Sequence, residues 1–135
     1  MIINAYEFTV ENNGEDVAVS LRLGAGGQLK LKKKWNESTT STLFGAVDDI
    51  ERMIDVLDNA LKYKGNTNTV KSGEDLYELM VENDMLGMKA KQLLITSIGR
   101  ASGLFSEEEK DVIDKRSEHL LDDAFGDEDA GKNVK

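Results

Sequence analysis

The chain has 135 residues, a formal net charge of −9 and a mean hydropathy of −0.44, and it contains no cysteine and one histidine, His119. Disulfides, thiolate metal sites and multi-histidine zinc sites are therefore excluded, and a surface of this sign argues against general nucleic-acid binding. No run of about 18 apolar residues and no basic region followed by an apolar stretch is present, so neither a membrane span nor a secretory signal is predicted.

The first 23 residues have the pattern of a β-hairpin. Apolar and polar residues alternate over 6–11 and again over 17–23, which is typical of half-buried strands. Asn13-Gly14 stands between the two runs and favours a tight turn with positive φ.

The next stretch, 24–42, leaves its conformation open. Gly24-Ala25-Gly26-Gly27 is interpreted as a turn, because it lacks the further glycine, lysine and ribose-binding acid of the known phosphate loops. The basic piece from Leu29 to Trp35 is either a third strand or a short helix. Residues 36–42 are polar and β-branched and are predicted to form a loop.

Four helices are predicted beyond this stretch. Apolar residues recur at helical spacing from Val47, and Gly65 stands where a glycine ends a helix. Ser72 and Asp75 resemble a capping box, and Ser106 with Glu109 forms a second. The predicted helices cover residues 47–64, 73–83, 87–101 and 106–125, with Gly103 marking the end of the third.

These elements predict an α+β fold, in which an N-terminal hairpin of two or three strands packs on a bundle of about four helices. A single domain is expected over residues 1–125, with its central helix at 87–101. Residues 126–135 are polar and are expected to form a flexible acidic tail.

No reactive centre is predicted. His119 lies on a charged helix and no serine is flanked by the glycines of a nucleophile elbow, so His119 is interpreted as a solvated or helix-capping side chain. The many carboxylates lie in polar contexts that do not raise a pKa. The expectation is a non-enzymatic protein with no cofactor and no metal.

A set of apolar residues, rich in methionine, is the candidate partner-binding site. Methionine adapts to varied apolar partners, although ordinary core filling explains the same residues. The candidates are Leu43, Phe44, Met80, Met85, Leu86, Met88, Leu104 and Phe105.

The order of several motifs resembles that of the tail assembly chaperones of long-tailed phages and prophages. Leu21-Arg22-Leu23 precedes the glycine-rich turn, the basic segment and a long acidic helix. Then follow Gly73-Glu74-Asp75-Leu76-Tyr77, which matches a "G-x-D-L-Y" helix, and the ending Ala101-Ser102-Gly103-Leu104-Phe105. The resemblance covers roughly residues 17–106.

The resemblance implies a function without catalysis. Proteins of this family bind the tape measure protein in the cytoplasm of the bacterial host and are absent from the finished virion. The implied partners are the tape measure protein, the tail tube protein and further copies of the chain, with no nucleic acid and no membrane. The client's apolar helical faces would be covered in a helix-in-groove mode.

An acidic inhibitor that mimics DNA is the alternative. It would bind a nucleic-acid-handling enzyme through its carboxylates. The acids lie on amphipathic helices rather than in a phosphate-like double row, and the lysines from Lys30 to Lys34, beside Trp35, interrupt the negative field.

Overall fold

The computed structural model describes residues 4–104, which form two strands and five α-helices. This confirms the α+β class with an N-terminal two-stranded hairpin. The predicted helix at 106–125, the tail and His119 lie outside the described residues. The elements are β1 (Tyr6–Asn12), β2 (Glu15–Leu21), α1 (Ala25–Trp35), α2 (Thr39–Gly45), a 3-10 turn (Ala46–Asp48), α3 (Ile50–Leu61), α4 (Gly73–Glu82) and α5 (Met88–Ala101).

The hairpin has the register that the Asn13-Gly14 turn dictates. β1 and β2 pair antiparallel from Tyr6 opposite Leu21 to Asn12 opposite Glu15. Asn13 and Gly14 both have positive φ, 55° and 83°, as a two-residue type I′ turn requires. The predicted hairpin is confirmed, and it has two strands.

The basic segment is a helix, which settles the alternative that the sequence left open. α1 begins directly after Gly24, so the interpretation of residues 25–27 as a turn is wrong. The helix ends at Trp35 and is capped by Asn36, whose φ is 54° and whose N–H bonds to the Lys32 carbonyl. Leu31 is buried in the core, whereas the lysines on either side of it stay in solvent.

Side-chain amides occupy part of each outer edge of the hairpin. Asn68 accepts from the N–H of Ser20 at 2.7 Å and donates to its carbonyl at 2.8 Å. Asn83 pairs in the same way with the N–H and carbonyl of Glu11, at 2.9 and 3.0 Å. Each amide bonds to the backbone groups that a neighbouring strand would use, so this part of the edge is not free to pair with another chain.

The prediction of a loop over residues 36–42 is wrong, because α2 begins within this range, at Thr39. Ser38 caps this helix by accepting the N–H of Ser41 at 3.1 Å. Thr42 is fully buried, and its hydroxyl donates to the Ser38 carbonyl. Polar and β-branched residues are therefore accommodated in a short helix because their hydroxyl groups bond to its own backbone.

The long acidic helix is shorter than predicted at both ends. The 3-10 turn contains Val47, and α3 starts at Ile50 after Asp49, which accepts the N–H of Arg52 at 3.2 Å. Gly65 has a φ of 91° but lies in the turn from Tyr63 to Asn66, beyond the helix end. Its role as the helix-ending glycine is therefore not observed.

The predictions for α4 and α5 are confirmed in position. Ser72 caps α4 through the N–H of Asp75. Gly103, with a φ of 73°, ends α5 in a Schellman motif, in which its N–H bonds to Arg100 and that of Leu104 bonds to Gly99.

α3 lies at the centre of the described structure and contacts β2, α1, α2 and α4. Its buried face packs with the inner residues of the hairpin, of α4 and of α5 in one core. The prediction that the helix at 87–101 is the central one is therefore wrong, because α5 makes its main contacts with α2, the 3-10 turn and β1. The broad apolar face of that helix shows that it is buried, but it does not show which helix has the most neighbours. The buried apolar residues are Val10, Val19, Leu21, Leu23, Leu31, Leu43, Ala46, Met53, Val56, Leu57, Ala60, Leu61, Leu76, Met80, Leu94, Ile95 and Ile98.

Candidate functional site

An open groove of about 370 Å³ lies between the 3-10 turn, the first half of α3, α4 and the start of α5. Its floor is formed by Ala46 and Met53, which belong to the core. Val47 and Tyr77 are half-buried along its sides. The lining is Ala46, Val47, Asp48, Asp49, Ile50, Met53, Tyr77, Met88 and Lys91.

Two exposed apolar side chains converge on this groove from distant parts of the sequence. Ile50 is 60% exposed and Met88 is 42% exposed, and both line it. Each is the first residue of its helix, after Asp49 and Gly87 respectively. Helical side chains point back toward the N-terminus, so no preceding turn of the same helix covers these two. They remain available to a partner.

The polar groups of the groove lie beside its apolar lining and carry both charges. Asp48 ends the 3-10 turn, Asp49 comes directly before α3, and Lys91 stands one turn into α5. Asp49 is engaged, because it caps α3. An apolar floor with charged groups beside it fits a segment that has one apolar face and polar flanks.

A network of charged side chains holds the start of α3 in place. The Arg52 guanidinium donates two hydrogen bonds to the Glu37 carboxylate, at 2.9 and 3.0 Å, and lies 4.7 Å from the centre of the Trp35 ring. The indole N–H of Trp35 donates to Asp55 at 3.1 Å. These contacts join the end of α1, the residues before α2, and α3, and so position the turn that forms one wall of the groove.

The charges of this network also shift two pKa values. Hydrogen bonds from Arg52, and then from the Ser41 hydroxyl, lower the pKa of Glu37. The hydrogen bond to Glu37 raises the pKa of Arg52 further above its ordinary value. Both groups are therefore charged at neutral pH, and the network stays intact there.

The predicted partner-binding residues do not form one surface. Leu43 and Met80 are buried in the core, at 0% and 2% exposure. Met85, Leu86 and Leu104 are partly buried and pack against that core, and Phe44 is half-buried. Met88 alone of the predicted residues lines the groove, and Phe105 lies outside the described residues. The binding role of the others stays a prediction.

Sequence reasoning missed Val47, Ile50 and Tyr77 as lining residues. Val47 and Ile50 belong to the predicted apolar face of the long helix, where helical spacing indicates core. Asp49 was the available signal, because an aspartate before an apolar residue and three before Arg52 is a good helix cap. A helix that starts at Ile50 leaves this side chain at its end.

A second, wider pocket of about 620 Å³ lies between the hairpin turn, the segment before α4, and α4. Asn12, Lys71, Asp75, Glu78 and Glu82 are among the residues that line it, so it is polar where the groove is apolar. Among residues 4–104 no three histidine or acidic side chains stand close enough to hold a metal ion. No helix in that range combines the length and apolar character needed to cross a bilayer.

Comparison of the chain with models of known protein families, with curated proteins and with solved structures finds no match. The groove is therefore interpreted from its own geometry.

Proposed function

We propose that the chain is a tail assembly chaperone of the long-tailed phage type, which binds apolar helical segments of the tape measure protein in the groove. The observation that supports this most is the convergence of Ile50 and Met88 on one concave site. The motif order between Leu21 and Phe105 supplies the identity of the client. In this proposal the protein acts in the cytoplasm of the bacterial host and is absent from the finished virion.

The shape of the groove suits one face of a helix. Residues three and four apart on a helix lie side by side, so two or three apolar side chains of a client can enter together. Each apolar side chain transferred from water contributes about 1.5–3 kcal/mol. A few such side chains, less the cost of association, give a reversible complex.

Reversibility is what a chaperone for this client needs. The tape measure protein has to stay soluble until the tail tube polymerises around it, and then has to be released. In this proposal the tail tube protein is the second partner, because its assembly takes over the apolar faces that the chaperone covered.

The direct test is co-expression with the tape measure protein encoded by the same genome. We expect the wild-type chain to raise the soluble fraction of that protein. Ile50→Ser and Met88→Ser should each lower the effect severalfold, because each puts a hydroxyl where an apolar contact is needed.

Leu93→Ser is the matched control, since Leu93 is an exposed apolar residue on α5 that does not line the groove. It should behave as the wild type. A genome without a tape measure gene, or equal loss of solubility in all three variants, would refute the proposal.

A further inference from the structure

The outward face of α1 is basic and carries one exposed leucine. Leu29 is 67% exposed, and Lys33 lies one turn further along the same face. Lys30 and Lys32 flank this pair, and α1 contains no acidic residue. Within residues 4–104, Lys32 and Lys33 form no ion pair, whereas Lys30 lies close enough to Asp58 for its charge to help lower the pKa of that carboxyl, and Lys34 is bound to Asp55 at 2.7 Å.

The outward face of α4 is the complement of this surface. Glu78 lies at its centre, with Glu74 and Glu82 one turn to either side. Val81 stands next to them and is 54% exposed. In the described part of the chain these three glutamates form no ion pair either. One surface is thus basic with a single apolar residue, and the other is acidic with a single apolar residue.

Both helices pack on α3, and among residues 4–104 no ion pair joins the lysines of α1 to the glutamates of α4. α1 approaches Asn59 through Gly27 and Asp55 through Trp35. α4 begins against Ile54 and Asp58. Both helices face α3 on their inner sides, and on their outer sides Leu29 and Val81 stay exposed in the described part of the chain.

We propose that α1 of one copy docks on α4 of a second copy of this chain. The lysines of α1 span about one turn, from Lys30 to Lys33, and Glu78 and Glu82 are also one turn apart, so these two charged stretches match in length. Leu29 and Val81 would be covered at the centre of a contact with lysines facing glutamates around it. Single exposed ion pairs contribute little, but several at one interface select the partner and its orientation.

Such a contact joins two different surfaces and is therefore heterologous, so the same contact can repeat from copy to copy. It does not involve the groove residues Ile50 and Met88. The inference is thus independent of the proposed client, and either can fail without the other.

The test is mutual rescue by charge reversal, followed by sedimentation velocity over a range of concentrations. Lys32→Glu/Lys33→Glu makes both surfaces acidic, and Glu78→Lys/Glu82→Lys makes both basic. Each double variant should associate at least about tenfold more weakly than the wild type, because attraction becomes repulsion. An equimolar mixture of the two should restore association, since each variant then meets its complement.

General attraction does not explain such a rescue. Each double reversal changes the net charge by four from −9, so the variants carry −13 and −5 and still repel each other overall. The matched controls are Lys64→Glu/Lys89→Glu and Glu7→Lys/Glu15→Lys, which make the same changes at other exposed positions. These controls should associate as the wild type does.

Salt gives a second readout. Between about 0.1 M and 1 M salt the Debye length falls from about 10 Å to about 3 Å, so wild-type association should weaken. A wild type that is monomeric at all concentrations would overturn the inference. So would a mixture that stays as weak as its components, or control variants that lose as much association as the test variants.

Discussion

At the scale of single residues, Gly73 marks the closest approach between two helices. Its N–H bonds to the Asp58 carboxylate at 3.0 Å. A Cβ at this position would overlap the Ile54 carbonyl oxygen and stand 2.5 Å from the backbone nitrogen of Asp58. Because these atoms belong to the backbone of α3, no rotation of a side chain can make room. The glycine of the Gly73–Tyr77 motif is therefore a packing requirement.

Gly73→Ala should destabilise the fold by about 3 kcal/mol, because α4 has to move away from α3. Gly26→Ala is the control, since the space around Gly26 is open and it lies inside α1. Alanine there should stabilise by up to about 1 kcal/mol through helix propensity. Urea unfolding of both variants measures the difference; equal stabilities would contradict the close approach.

At the scale of elements, the sequence predicts the well-patterned helices and misses the weakly patterned ones. α3, α4 and α5 have clear apolar faces and caps, as at Ser72 and Gly103. α1 buries one leucine between lysines, and this spacing also fits a strand. Its conformation is decided by its packing, because Gly27 lies against Asn59 of α3 and against Leu23 in the connection before α1. Such contacts are not visible in a local pattern.

The ion pair between Glu37 and Arg52 makes the arrangement of α2 on α3 sensitive to acid. The pKa of Glu37 is lowered in the folded chain, so the unfolded chain takes up a proton first as the pH falls. The stability that this pair contributes is present above the usual glutamate range, near pH 4.3, and is lost as the pH falls through the lower folded value. It should be complete at pH 7.

Glu37→Gln should therefore flatten the pH dependence of the free energy of unfolding below about pH 5, because the glutamine at position 37 takes up no proton. Part of the slope should remain. Burial raises the pKa of Asp58, but hydrogen bonds from Lys62 and the N–H of Gly73 outweigh it and lower that pKa overall. Urea titrations between pH 7 and pH 3 measure the slope, and identical slopes in the two proteins would contradict the account.

At the scale of the whole described structure, the chain offers three separate surfaces. The groove is apolar, the outer face of α1 is basic and that of α4 is acidic. Met88 was predicted to bind a partner because methionines are abundant in this part of the sequence, whereas Ile50 was placed on the buried face of the predicted helix. Periodicity indicates which residues share a helix face, but it does not show where that face runs past its neighbours. The exposure of Ile50 and Met88 at the starts of α3 and α5 is therefore seen only in the structure.

The proposed function requires that the groove binds the apolar face of a helix. Its most direct test is methyl NMR, with the isoleucine, leucine, valine and methionine methyl groups labelled, during titration with a synthetic amphipathic helical peptide. The methyl signals of Ile50 and Met88 should shift together and saturate, while those of Leu29 and Leu93, which lie outside the groove, stay in place. Shifts confined to Leu29 and Leu93, or no saturable shift at Ile50 and Met88, would contradict the account.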